Sequence, residues 1–130
     1  MNKLAKVLAG FAALAFVVTP TMPVGAVAMP EPSEGVIELV AGTEYDGGTI
    51  PANTIVRGNG AVVKGKVVIG GSNVTIDHVK FVGDGSGVAI TSSGTINDTT
   101  ISNNTFTGYT GHTISLNGVL NRLKITDNID

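Results

Sequence analysis

Val74-Thr75-Ile76-Asp77-His78 lines up with Thr99-Thr100-Ile101-Ser102-Asn103 and again with Leu123-Lys124-Ile125-Thr126-Asp127, and Phe81 and Phe106 each follow the isoleucine of their copy by five residues. Asn73, Asn97 and Asn121 each precede a strand and are spaced at 24 residues. Self-similarity at such a period marks a solenoid. Side chains alternate faces along a strand, so Val74, Thr99 and Leu123 with Ile76, Ile101 and Ile125 are predicted inward. Thr75, Thr100 and Lys124, with Asp77, Ser102 and Thr126, are predicted outward. Ile90, Thr91 and Gly94 fall over Ile114, Ser115 and Gly118 at the same offset. Asn104 and Asn128 share a turn register and predict a short asparagine ladder, which Val79 interrupts one coil earlier.

Outward from these copies the chain is a series of short β-branched runs separated by Gly, Asn, Asp and Ser, from Val36–Val40 to Leu123–Thr126, with no stretch of helical spacing. Residues 49–72 supply a looser coil, and Val36–Gly48 is expected to cover the amino-terminal end. An antiparallel sandwich of short strands would not demand a repeat of side-chain type. The reading is therefore all-β, a parallel β-helix of about three to four coils, residues 36–130. The third copy stops halfway round at Asp130. That predicts either a truncated chain or an edge covered by a partner or by self-association.

Residues 1–28 read as a signal peptide: Lys3 and Lys6, an apolar run Val7–Val18, and a small-x-small site at Ala26-Val27-Ala28. The run is short of the roughly 20 residues that span a bilayer, so the expectation is a secreted or cell-surface protein with no membrane contact after cleavage. Residues 29–35, with two prolines and two glutamates, read as a flexible lead-in. The formal charge is −2 for the whole chain, the wrong sign for a phosphate-backbone footprint, so no nucleic-acid partner is expected. Absence of Cys removes disulfides, thiolate nucleophiles and Cys-ligated zinc.

The run Asn53-Thr54-Ile55-Val56-Arg57-Gly58-Asn59-Gly60-Ala61-Val62-Val63-Lys64-Gly65, followed by Ser72-Asn73-Val74-Thr75-Ile76, resembles the opening coils of the pectate lyase-like superfamily of right-handed parallel β-helices. Asn73-Val74-Thr75-Ile76-Asp77-His78, Asp84-Gly85 and Thr100-Ile101-Ser102-Asn103-Asn104-Thr105-Phe106 resemble, in order, the W-I-D-H, D-G and T-I-S-N-N-x-F motifs of family 1 pectate lyases. The resemblance implies calcium ligands at Asp77 and Asp84, the ion bridging protein and galacturonate. Thr75 stands in the tryptophan position, Val88 stands near a second acidic position, and His112 falls where the family carries a lysine. The R-x-P-x-x-R segment that carries the family's catalytic Arg is not in the sequence. No catalytic residue is assigned.

The residues thus point to engagement of an extracellular polysaccharide through the outer sheet face and the loops at 83–87 and 107–111, in a protein resembling a truncated polysaccharide lyase. The alternative is a non-catalytic adhesin-type module that associates through its open carboxyl edge. Candidate substrate-binding residues are Tyr109, a loop aromatic suited to stacking on a sugar, His112, and outward Thr75 and Thr100. His78 shares its column with Asn103 and Asp127, the company of a polar turn residue, and Asp98 follows Asn97 as a turn-former.

Overall fold

The computed structural model describes residues 26–85 and 87–129. Most of the expected signal peptide, residues 1–25, lies outside them. Thirteen strands and no helix follow one another: β1 (Val36–Glu38), β2 (Glu44–Ile50), β3 (Thr54–Arg57), β4 (Val62–Ile69), β5 (Val74–Asp77), β6 (Lys80–Val82), β7 (Ile90–Ser92), β8 (Thr95–Asn97), β9 (Thr100–Ser102), β10 (Thr105–Thr107), β11 (Ile114–Leu116), β12 (Val119–Asn121) and β13 (Lys124–Thr126). All the paired strands run parallel, and they stack as a β-solenoid of about four turns. One side is the sheet β1-β3-β5-β9-β13. β4 is long enough to serve two sides, pairing β6 through Val62–Lys64 and β7 through Val67–Ile69. Between those halves Gly65 takes φ +100°, a value that only glycine adopts cheaply. A fourth side, β8 with β12, exists only in the later turns.

The register is that of the sequence copies: Thr75, Ile76 and Asp77 pair with Thr100, Ile101 and Ser102, and these with Lys124, Ile125 and Thr126. Ile76 and Ile101 are buried with Val74 and Thr99, while Thr75 and Thr100 are half-exposed on the outer face. Phe81 lies on Phe106, ring centroids 5.1 Å apart and nearly parallel. The inward column opens at the last turn, where Ile125 is 44% exposed against 0% for Ile101.

Turn lengths differ, which corrects the even 24-residue spacing. Ile55 pairs with Thr75, 20 residues on, whereas Thr75 pairs with Thr100 at 25 and Thr100 with Lys124 at 24. Asn73 is therefore in register with Asp98, one residue past Asn97, and both are left-handed corner residues with φ near +60°. Asn53 and Arg122 complete that corner column; His78, Asn103 and Asp127 form a second one. Asn, Asp and His tolerate this region better than other side chains. Val36–Gly48 is a turn of the stack and not a cover, since β1 pairs β3 and β2 pairs β4. Before it, Val27 bridges to Tyr45, Ser33 bonds to Val36, and Met29 packs on the core.

The asparagine ladder is present, and its members are well satisfied. Asn104, 1% exposed, accepts the Val79 N–H at 2.8 Å and donates to Ile76 O and to Asn128 Oδ1, both at 3.1 Å. Asn128 in turn donates to Ile101 O at 3.0 Å. Val79, which cannot continue the ladder as a side chain, ends it through its backbone. Replacing Asn104 by Ala strands the buried Val79 N–H and removes a second bond to Ile76 C=O, and an orphaned buried group costs roughly 1–3 kcal/mol. Asn104→Ala is expected to lower unfolding free energy by about 3 kcal/mol in a urea titration, with Asn103→Ala, at the exposed neighbouring corner, costing much less.

Candidate functional site

The loops at 83–87 and 107–111 come from successive turns and are stitched together. Gly83 N donates to Thr107 O at 2.8 Å, and Thr110 Oγ1 donates to Gly85 O at 2.6 Å. The Tyr109 ring lies flush on Gly83, where a Cβ would meet ring carbons at 2.6 Å. Beside it β4 bends at Gly65 and holds out Lys64 and Lys66. The result is a pocket of about 490 Å3 lined by Lys64, Lys66, Val82, Asp84, Val88 and Tyr109, among others. Sites for small ligands commonly have that size and that mixture of apolar wall and few polar groups.

Lys64 is held at 3.4 Å by Glu44 on the preceding turn. Removal from water raises the Tyr109 phenol above its ordinary value, and the Asp84 carboxylate adds to the effect, so the group stays a neutral hydroxyl. Its oxygen is buried and has no hydrogen-bond partner among the described residues.

Asp77 sits elsewhere, in a shallow groove of about 240 Å3 across β3, β5 and β9, lined by Ile55, Arg57, Gly58, Asn59, Thr75, Asp77, His78 and Ser102. Its Oδ1 accepts Ser102 Oγ at 2.9 Å and Asn103 Nδ2 at 3.0 Å, and its Oδ2 lies 2.5 Å from His78 Nδ1. Burial pushes this carboxyl up, but the bonds from Asn103, His78 and Ser102 outweigh it and the net direction is down.

The structure thus divides the candidate residues. Tyr109 and Asp84 share the first pocket; Thr75 and Asp77 share the groove, with Thr100 the Cα partner of Thr75. His112 is exposed after Gly111 and lines neither. Calcium collects six to eight oxygens, and the implied pair does not fit one shared ion: Asp77 and Asp84 line different cavities, and both Asp77 oxygens are occupied by protein donors. Among the described residues no three His, Cys, Asp or Glu side chains cluster as a metal site. Asp98 is taken by Arg122, at 2.6 and 3.0 Å. Lys64, Lys66 and Arg57 were not singled out from the sequence. The signal that marks the two lysines is Lys64-Gly65-Lys66, a charged pair flanking a glycine inside an otherwise apolar strand.

Comparison with protein-family models, with curated proteins and with solved structures finds no match to this chain.

A carboxyl whose folded-state pKa is depressed adds stability that is full above its ordinary value of 3.8 and is lost as pH falls through the lower folded value. Acid unfolding is therefore expected to steepen below pH 3.8. Asp77→Asn should flatten that part of the curve of unfolding free energy against pH while leaving neutral-pH circular dichroism unchanged.

Proposed function

We propose that the chain is a secreted β-solenoid that engages an extracellular polysaccharide in the pocket between Tyr109 and the lysines of β4. One observation carries this reading: the two loops that the sequence marked for glycan contact are hydrogen-bonded to each other and set an aromatic ring on the wall of a single cavity. A sugar ring presents apolar C–H faces and equatorial hydroxyls. The ring of Tyr109 suits the first, and Lys66 and Asp84 suit the second. Lys64 and Lys66 also favour a uronate carboxylate, in keeping with the pectate lyase-like resemblance. The role proposed is binding, which an aromatic wall and two lysines support without any catalytic residue being assigned.

The test is affinity electrophoresis of the purified protein through gels with and without polygalacturonate. Retardation is expected, with no unsaturated product in solution. Tyr109→Ala and Lys66→Ala should each weaken retention about tenfold, near 1.4 kcal/mol. Mobility unchanged by the polymer, or by both substitutions, would overturn the reading.

A second reading, an adhesin-type module that self-associates, is favoured by the exposed apolar residues Val119, Leu120, Ile125 and Ile129 on and after β12 and β13, the outermost strands among the described residues. If those strands take a second copy, sedimentation velocity shows a concentration-dependent dimer that Ile125→Lys abolishes; a monomer at all concentrations sets the reading aside.

A further inference from the structure

The groove across β3, β5 and β9 is separate from the Tyr109 pocket, and its polar groups are arranged in a particular order. Asp77 is gripped at Oδ1 by Ser102 and Asn103 from the next turn. Its Oδ2 faces His78 Nδ1 at 2.5 Å. An ionised carboxylate only accepts, so the ring nitrogen facing it, Nδ1, carries a proton, and the Nδ1–H tautomer has its lone pair on Nε2. The His78 side chain is 61% exposed and lines the groove. One rung away, at the position paired with Asp77, stands Arg57. Its guanidinium is also more than half exposed, and its nearest carboxylate, Glu38, lies at 3.8 Å, beyond hydrogen-bond reach. Ile55 and the Thr75 side chain lie beside these groups as an apolar strip.

Chemistry then selects among ligands. An anion meets the Asp77 charge and the imidazole lone pair. A cation meets Arg57, and the one carboxylate in reach has both oxygens engaged. A neutral group that both gives and accepts hydrogen bonds satisfies everything present: one hydroxyl donates to His78 Nε2, its neighbour accepts from Arg57, and the C–H face rests on Ile55 and Thr75. We propose that this groove is a second binding site, for a neutral sugar ring presenting adjacent hydroxyls, with His78 and Arg57 as its contacts and Asp77 as the positioning residue that fixes the imidazole. The assignment gives Asp77 a role other than the metal ligation that the family resemblance implies.

The site is independent of the Tyr109 pocket, and a chain with only two histidines allows both to be read in one experiment. Imidazole nitrogen and aromatic proton resonances of the whole protein are followed on addition of cellohexaose, a neutral oligomer, and separately of hexagalacturonate. Before any addition, His78 should show Nδ1 protonated and Nε2 bare, the reverse of the tautomer preferred by a free side chain, and Asp77→Asn should release that preference. Cellohexaose should move the His78 Nε2 resonance without moving Tyr109. His78→Asn, which installs the residue found at the same corner at position 103, and Arg57→Leu should each weaken cellohexaose binding at least tenfold. Lys80→Ala, on the outer face of β6, should leave it unchanged. A His78 tautomer protonated at Nε2, a resonance that cellohexaose fails to move, or undiminished binding by His78→Asn would overturn the proposal. Hexagalacturonate that leaves Tyr109 unmoved would count against the first pocket alone.

Discussion

Everything in this molecule depends on parallel strands of successive turns pairing in register, because that pairing is what converts a weak sequence repeat into columns of identical chemistry. Backbone bonds set the spacing, and each side chain is then packed by its own counterpart: isoleucine on isoleucine, phenylalanine on phenylalanine, asparagine on asparagine. The columns are self-consistent in a way a sandwich of short strands is not. A polar side chain enters the interior only where its stack satisfies it. Asn104 does so with the Val79 N–H on one side and Asn128 on the other. Thr99 and Tyr109, whose buried hydroxyls have no partner among the described residues, are the exceptions.

The corners matter as much as the strands. A turn of two dozen residues closes only if the chain bends sharply between strands of three or four residues, and it does so by placing single residues in left-handed conformation. Glycines apart, most are Asn or Asp, with Glu34, His78 and Arg122 as the variants. Corner residues lie between strands and in contact with the next turn, so they are where charge and hydrogen-bonding groups from adjacent turns meet. The Arg122–Asp98 pair is one such meeting, and the His78–Asp77–Asn103 group is another.

The strand columns were legible from the sequence because strand side chains follow a period of two, and an error of one residue would have put Ile76 or Ile101 on the wrong face. The pairing of Phe81 with Phe106, the Asn104–Asn128 ladder and the outward threonines were legible for that reason. The corner positions were harder. Asn73 and Asn97 look equivalent in sequence, yet a turn of 25 residues between two of other lengths moves the register by one, and only the hydrogen bonding of the strands reveals it. The candidate site was legible in part. Tyr109 and the two glycine-rich loops could be marked as contact material. Lys64 and Lys66 carry one signal, the glycine between them inside an apolar strand, but outward charge on a strand ordinarily serves solvation, and nothing comparable marks Arg57. His112 lies on the exposed start of its strand, and Asp77 and Asp84 lie on different walls, a separation that linear distance does not disclose.

The unequal turn lengths bear on how such a chain can change over generations. Residues added between β5 and β9, and again between β9 and β13, widen those turns by a whole side, yet the columns above and below keep their partners, because the extra length leaves the stack at one corner and rejoins it at the next. Insertions at 83–88 or 108–113 meet the same tolerance, since loop length costs little compared with a misplaced strand residue. Much of the wall of the Tyr109 pocket is made of those segments, the rest coming from β4 and β6. Variation in what the pocket accepts can therefore accumulate where the fold is most forgiving, while the lattice of columns that holds the pocket in place stays under strict constraint.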